Sequence, residues 1–199
     1  MFQMIRTHRQ FLLPAVGLLA VATMFGGCAG TGAGAGAGVV AYQERGIEVA
    51  ADDLKLEMKI IELWLNHDNS LPIKVSTELY EGRALLTGIV DKPEMRADAV
   101  RLAWKVHGVK DVINEIQVKD DNTFMDMARD SWITTKLKSK LTVDKYVMAV
   151  NYAIETVGGV VYMIGIAQNK EELDRVISHA RNIEYVRKVV SHVRLKDKA

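Results

Sequence analysis

An α+β chain made of two tandem αββαβ sandwiches, each with two helices on a three-stranded mixed sheet, is predicted by three observations. Residues 130–195 overlay residues 53–118 at a constant offset of 77 without a gap. Hydrophobic periodicity switches in each copy from helix to strand, strand, helix and strand. The first 49 residues have no such periodicity and read as an export signal and a tether.

Residues 1–27 carry Arg6 and Arg9, then the apolar run 11–22, then Phe25, Gly26 and Gly27 directly before Cys28. A basic start, a short apolar stretch and small residues before a cut form a secretory signal. The apolar run is too short for a membrane span of roughly 20 residues. Residues 28–49 begin with the only cysteine and read as a flexible tether, because the Gly/Ala-rich stretch 30–38 within them has no side chains for a core. One cysteine excludes an internal disulfide and any CxxC zinc spacing.

Residues 50–119 form the first repeat, 120–124 a linker and 125–196 the second. The pairs Gly82/Gly159, Gly88/Gly165, Asp53/Asp130, Glu78/Glu155, Ala103/Ala180 and Val112/Val189 are identical across the offset. The opening helices, over 53–65 and 130–141, place Leu56, Ile60 and Trp64 on one face and Ile133, Leu137 and Leu141 on the other copy's equivalent. Alternation at Ile73, Val75, Thr77 and Leu79, and at Val150, Tyr152, Ile154 and Thr156, predicts half-buried strands. Glu81-Gly82 and Gly158-Gly159 are tight turns, since glycine adopts positive φ without strain. Second strands pass through Gly88 and Gly165. Second helices over 94–107 and 171–184 follow, and strands over 112–118 and 189–195 close each copy. A right-handed crossover makes each closing strand parallel to its neighbour.

Charge divides unequally. Residues 50–119 hold 10 basic and 12 acidic side chains, whereas residues 123–199 hold 13 and 9. Trp132, Lys136 and Lys140 recur every four residues on the second opening helix, with Lys138 nearby. An indole among ammonium groups suits a membrane interface with anionic headgroups; the plainer alternative is a core-edge tryptophan beside solvated lysines. Lys188, His192, Arg194 and Lys196 alternate with Val189, Val193 and Leu195, so they read as the wet side of a sheet or an extension of the basic surface. Asp52 and Asp53 open a helix, where carboxylates meet the positive dipole end. His67, His107, His179 and His192 are scattered, with no metal-ligand spacing, and no nucleophile elbow, phosphate loop or dinucleotide fingerprint is present. The residues predict no enzyme, cofactor or metal, and no nucleic-acid partner.

The stretches Gly82-Arg83-Ala84-Leu85-Leu86-Thr87-Gly88 and Gly108-Val109-Lys110-Asp111-Val112-Ile113-Asn114 resemble the signatures of the BON domain, as does the helix opening Asp130-Ser131-Trp132-Ile133-Thr134-Thr135-Lys136. The second copy departs at Tyr185 and Ser191, where the pattern has Gly and Asn, so a different closing turn is expected. Residues 25–28 resemble a lipobox, with Phe25 where Leu is usual, which implies acyl chains such as palmitate on Cys28. Ala29 in place of Asp implies sorting to the outer membrane. A lipoprotein with paired BON domains is similar to the division-septum-associated outer-membrane lipoproteins. That resemblance implies a lipid-anchored, periplasm-facing protein that supports envelope integrity, with anionic phospholipid bound by the second copy through Trp132, Lys136, Lys138 and Lys140. The alternative is an adaptor that grips an envelope protein and touches lipid only through Cys28. The oligomeric state is left open.

Overall fold

In the computed structural model, which describes residues 43–119 and 126–196, both copies have the expected element order. Helix α1 is Gly46–His67, followed by a helical turn at Leu71–Lys74, strands β1 (Val75–Tyr80) and β2 (Arg83–Val90), helix α2 (Pro93–Trp104) and strand β3 (Asp111–Val118). The second copy has α3 (Met127–Val143), a 3-10 turn (Ala149–Asn151), β4 (Tyr152–Val157), β5 (Val160–Ala167), α4 (Lys170–Arg181) and β6 (Lys188–Leu195). Each sheet has the order edge, centre, edge: β1-β2-β3 and β4-β5-β6, antiparallel in the first pairing and parallel in the second. Cys28, the signal segment and the 120–124 linker lie outside the described residues.

Several element boundaries differ from expectation. Helix α1 begins at Gly46, inside the range read as tether, because its start is fixed by tertiary contacts and not by a side-chain cap. Arg45 donates to Asp53 (2.7 Å) and to the Leu79 carbonyl (2.8 Å), tying the first turn to the sheet. Ile73 and Val150 precede their strands, in the two short helical turns.

Asp53 does more than open a helix. Its buried carboxylate accepts from the backbone N–H groups of Glu81 (2.8 Å) and Gly82 (2.7 Å). Asp130 repeats the clamp on Gly158 (2.7 Å) and Gly159 (2.8 Å). Each hairpin turn is therefore anchored to its opening helix by a charge-assisted pair, the stronger class of hydrogen bond. Gly88 and Gly165 are required sterically: a Cβ on Gly165 would sit 1.9 Å from the Asn151 carbonyl oxygen, and one on Gly88 2.1 Å from that of Lys74.

Ile60, Trp64, Leu79, Leu86 and Ala103 belong to the core between helices and sheet in the first copy, and Ile133, Leu137, Ile154, Met163 and Ala180 to that of the second. A third cluster, Tyr80, Leu85, Tyr162, Ile164 and Ile166 with Ile113 and Val190, joins the copies. These side chains alternate with the core residues along each strand, so they lie on the sheet faces away from the helices. The two sheets thus pack together through those faces, within one compact unit, with a helix layer on each outer side.

Polar contacts complete this seam and correct the reading of the last strand. His192 Nε2 lies 2.8 Å from Glu115 Oε1, Arg83 donates to the His192 carbonyl (3.1 Å), and Gln117 donates to the Tyr162 hydroxyl (3.0 Å). Arg194 pairs with Glu81 and Lys196 with Glu44. His192 on this side of β6 therefore faces the other copy and Arg194 pairs across to it, whereas Lys188, Arg194 and Lys196 stay exposed at the margin, as a wet face would. Glu115 and His192 are equivalent positions of the repeat, as expected for a contact lying near a pseudo-twofold axis.

Candidate functional site

Helix α3 presents Ile133, Leu137 and Leu141 to the core, which leaves the adjoining stripe of Trp132, Lys136 and Lys140 to the outer surface. Trp132 is 43% exposed, and its indole meets the Tyr185 ring edge to face, centroids 6.1 Å apart. The Arg129 guanidinium lies over the Tyr185 ring at 4.7 Å and pairs with Asp126 at 3.2 Å. Tyr185 was not among the site residues expected. It stands in the turn before β6 with φ +68°, where the equivalent Gly108 has φ +107°. The closing turn thus keeps its left-handed conformation in both copies, contrary to the expected change. A non-glycine residue there costs roughly 1–2 kcal/mol, and this copy spends it on an exposed phenol beside an exposed indole. The signal was present in the sequence as a departure from the family glycine.

One turn further on, Lys136 is exposed, and Lys140 lines a shallow hollow with Val143, Lys145, Tyr146, Arg175 and His179. Lys145 and Arg175 each lie 4.9 Å from the Tyr146 ring centroid. Asp144 accepts from His179 (2.7 Å), which with the Tyr146 N–H and the Arg175 charge holds its carboxyl below the usual range. The stripe therefore runs from one aromatic-cation cluster to another along α3. Such a surface can seat rings among acyl chains and bring cations to phosphates.

Lys138 is not on this stripe. It is exposed next to it, and its charge acts on Glu78 of β1 and Glu155 of β4. Burial raises both carboxyls, Glu155 to about 7, with Glu78 adding to the effect on Glu155; Glu57 on α1 is raised to about 7 by burial and by Glu78. The lysine offsets part of this cost.

The first copy lacks the aromatic cluster. At the positions of Trp132, Arg129, Tyr185 and Tyr146 it has Lys55, Asp52, Gly108 and Asn69. Among the described residues, no group of His, Cys, Asp or Glu is placed to hold a metal ion, and no helix is long and apolar enough to cross a membrane.

The BON domain model matches this chain twice, over residues 52–120 and 129–197. The chain belongs to the BON-domain family. Similarity to curated relatives extends over most of the chain. It is 43% identical over 148 residues to a protein from the gshII 5′ region of Anaplasma centrale, covering 73% of this chain and 95% of that one. It is 33% identical over 183 residues to the outer membrane lipoprotein DolP of Haemophilus influenzae, covering 89% and 94%. Similarity to the osmotically-inducible protein Y of Escherichia coli is 27% over 147 residues, covering 73% of each chain. The two matches coincide with the two copies read from the repeat, so the chain carries tandem BON domains.

Proposed function

We propose that this chain is an outer-membrane lipoprotein, anchored through Cys28 and facing the periplasm, whose second BON copy binds anionic phospholipid without enzymatic turnover and so supports envelope integrity. The relationship to a BON-domain outer membrane lipoprotein supports the anchoring and location. The lipid reading is carried by one observation: the exposed Trp132–Tyr185 pair, held by a left-handed non-glycine residue, with Arg129 stacked on it. Lys136 and Lys140 extend the cationic side, with the exposed Lys138 beside the stripe. Each lysine near an anionic surface contributes on the order of 1 kcal/mol.

The test is co-sedimentation of residues 39–199 with liposomes, which removes the anchor from the measurement. Binding should require anionic lipid, weaken with salt, and fall at least tenfold in Trp132→Glu. Failure to bind any liposome overturns the lipid reading and returns the protein to an adaptor role, in which cross-linking recovers an envelope protein.

A further inference from the structure

Helix α1 carries two apolar stripes. One, Leu56, Ile60, Leu63 and Trp64, packs into the first core. The other is Ile47, Ala51, Leu54, Met58, Ile61 and Leu65, spaced 4, 3, 4, 3 and 4 residues apart. That alternation is the heptad seam by which helices pair. Ile47, Leu54, Met58 and Leu65 are 46 to 63% exposed. The fold does not require the stripe. In α3 the positions of Leu54, Met58, Ile61 and Leu65 are Ser131, Thr135, Lys138 and Thr142. Two copies of one fold differ here by apolar against polar.

From this stripe we infer that α1 pairs with α1 of a second copy of the chain, antiparallel, across a twofold axis. Charge selects both the partner and the direction. With Met58 layered against the partner's Ile61 and Leu54 against the partner's Leu65, Lys55 faces the partner's Glu62, and Glu62 the partner's Lys55. A parallel pair in register would lose both of these ion pairs, because it sets the half-buried Glu57 opposite the partner's Glu62 instead. A lipid surface fits poorly, because the flanking charges Glu48, Asp52, Lys55, Lys59 and Glu62 are mixed and net acidic. Four such layers form a weak dimer in dilute solution. Confinement of both chains to one membrane raises their effective concentration. The pairing does not rest on the phospholipid reading.

The test is disulfide cross-linking of the full chain in its native membranes. Leu54→Cys with Leu65→Cys in one chain should yield a covalent dimer on mild oxidation. The two positions are 11 residues apart on α1, about 16 Å along the helix, so they cannot link within a chain. Neither single variant should cross-link comparably, because antiparallel pairing separates like positions. In that double-cysteine background, Glu62→Lys should reduce the yield about fivefold, as two attractive pairs become repulsive, and adding Lys55→Glu should restore it. Met58→Glu should abolish the dimer with helix content unchanged, since Met58 is exposed. A single-cysteine variant linking as well as the double, a charge swap that does not restore the yield, no dimer, or linkage only to a different protein would each overturn the inference.

Discussion

Replacing Glu155 by Gln should stabilise the protein above neutral pH and leave it unchanged in mild acid. Glu155 is raised from 4.5 to about 7, first by burial, then by the Glu78 charge, with Asp130 adding and Lys138 opposing. The folded state therefore holds the proton more tightly than the unfolded chain. This group's contribution is fully present below pH 4.5 and is lost as pH rises through about 7. At about 1.4 kcal/mol per pH unit, the ceiling on the loss is ~3.5 kcal/mol. The carboxyl is only partly enclosed, and water screening reduces this to about 2 kcal/mol. Glutamine keeps the shape without the ionisation. The variant should gain about 2 kcal/mol at pH 8, which for a chain of this size is a rise in Tm of roughly 4–8 °C, and gain almost nothing at pH 4.5. Thermal unfolding of both proteins at the two pH values measures the difference. Lys138→Met should act in the opposite direction at pH 8, because it removes a positive charge that opposes the rise of both carboxyls. An equal effect of Glu155→Gln at both pH values, or destabilisation at pH 8, would refute the reasoning.

Three further outcomes are expected. Gly165→Ala should destabilise the second copy by about 3 kcal/mol or more, because its Cβ would overlap a backbone carbonyl at 1.9 Å that cannot step aside; urea denaturation reads this directly. Asp130→Ala should cost about 3 kcal/mol by leaving the N–H groups of Gly158 and Gly159 without their carboxylate, and hydrogen exchange at those two amides should rise with it. Tyr185→Gly should separate stability from binding: relief of positive φ offsets the lost ring contacts, so unfolding free energy should stay within about 1 kcal/mol, whereas liposome affinity should fall severalfold.

The elements were legible in the sequence because their signals are local. Glycines at 82, 88, 159 and 165 mark turn and close approach, and the 3.6- and 2-residue periods mark helix and strand. The seam between the sheets was not legible, because its polar members look like a solvated face. Glu115 and His192 are 77 residues apart, and only their meeting in space makes either of them buried-side chemistry. Helix α1 was read short for a related reason: its first turn is held by Arg45 on Asp53 and on the Leu79 carbonyl, 34 residues away, with no capping side chain to announce it. At the candidate site, Trp132 and Lys136 could be found by spacing along one helix. Tyr185 could not, since its link to Trp132 crosses 53 residues and depends on a turn that keeps the geometry of the glycine it replaced.

Duplication with the sheets back to back has a consequence for how the surfaces are used. The faces that a single copy would leave open are consumed in the seam, where Tyr80, Leu85, Tyr162 and Ile164 exclude water and the polar pairs fix the register. What remains for recognition is the pair of helix layers, on opposite sides of the double sheet. One can then differ without disturbing the other, and the two copies do differ: α3 has Trp132, Arg129 and Lys140 where α1 has Lys55, Asp52 and Leu63, while α1 has an apolar stripe where α3 is polar. On the function proposed above, lipid contact through α3 would leave the outer side of α1 turned away from the contact. An anchor of more than one acyl chain on Cys28 would by itself suffice for residence on a membrane, so neither helix layer would be needed for attachment. The two layers would then be free to decide where on the membrane the protein sits and with what it sits there.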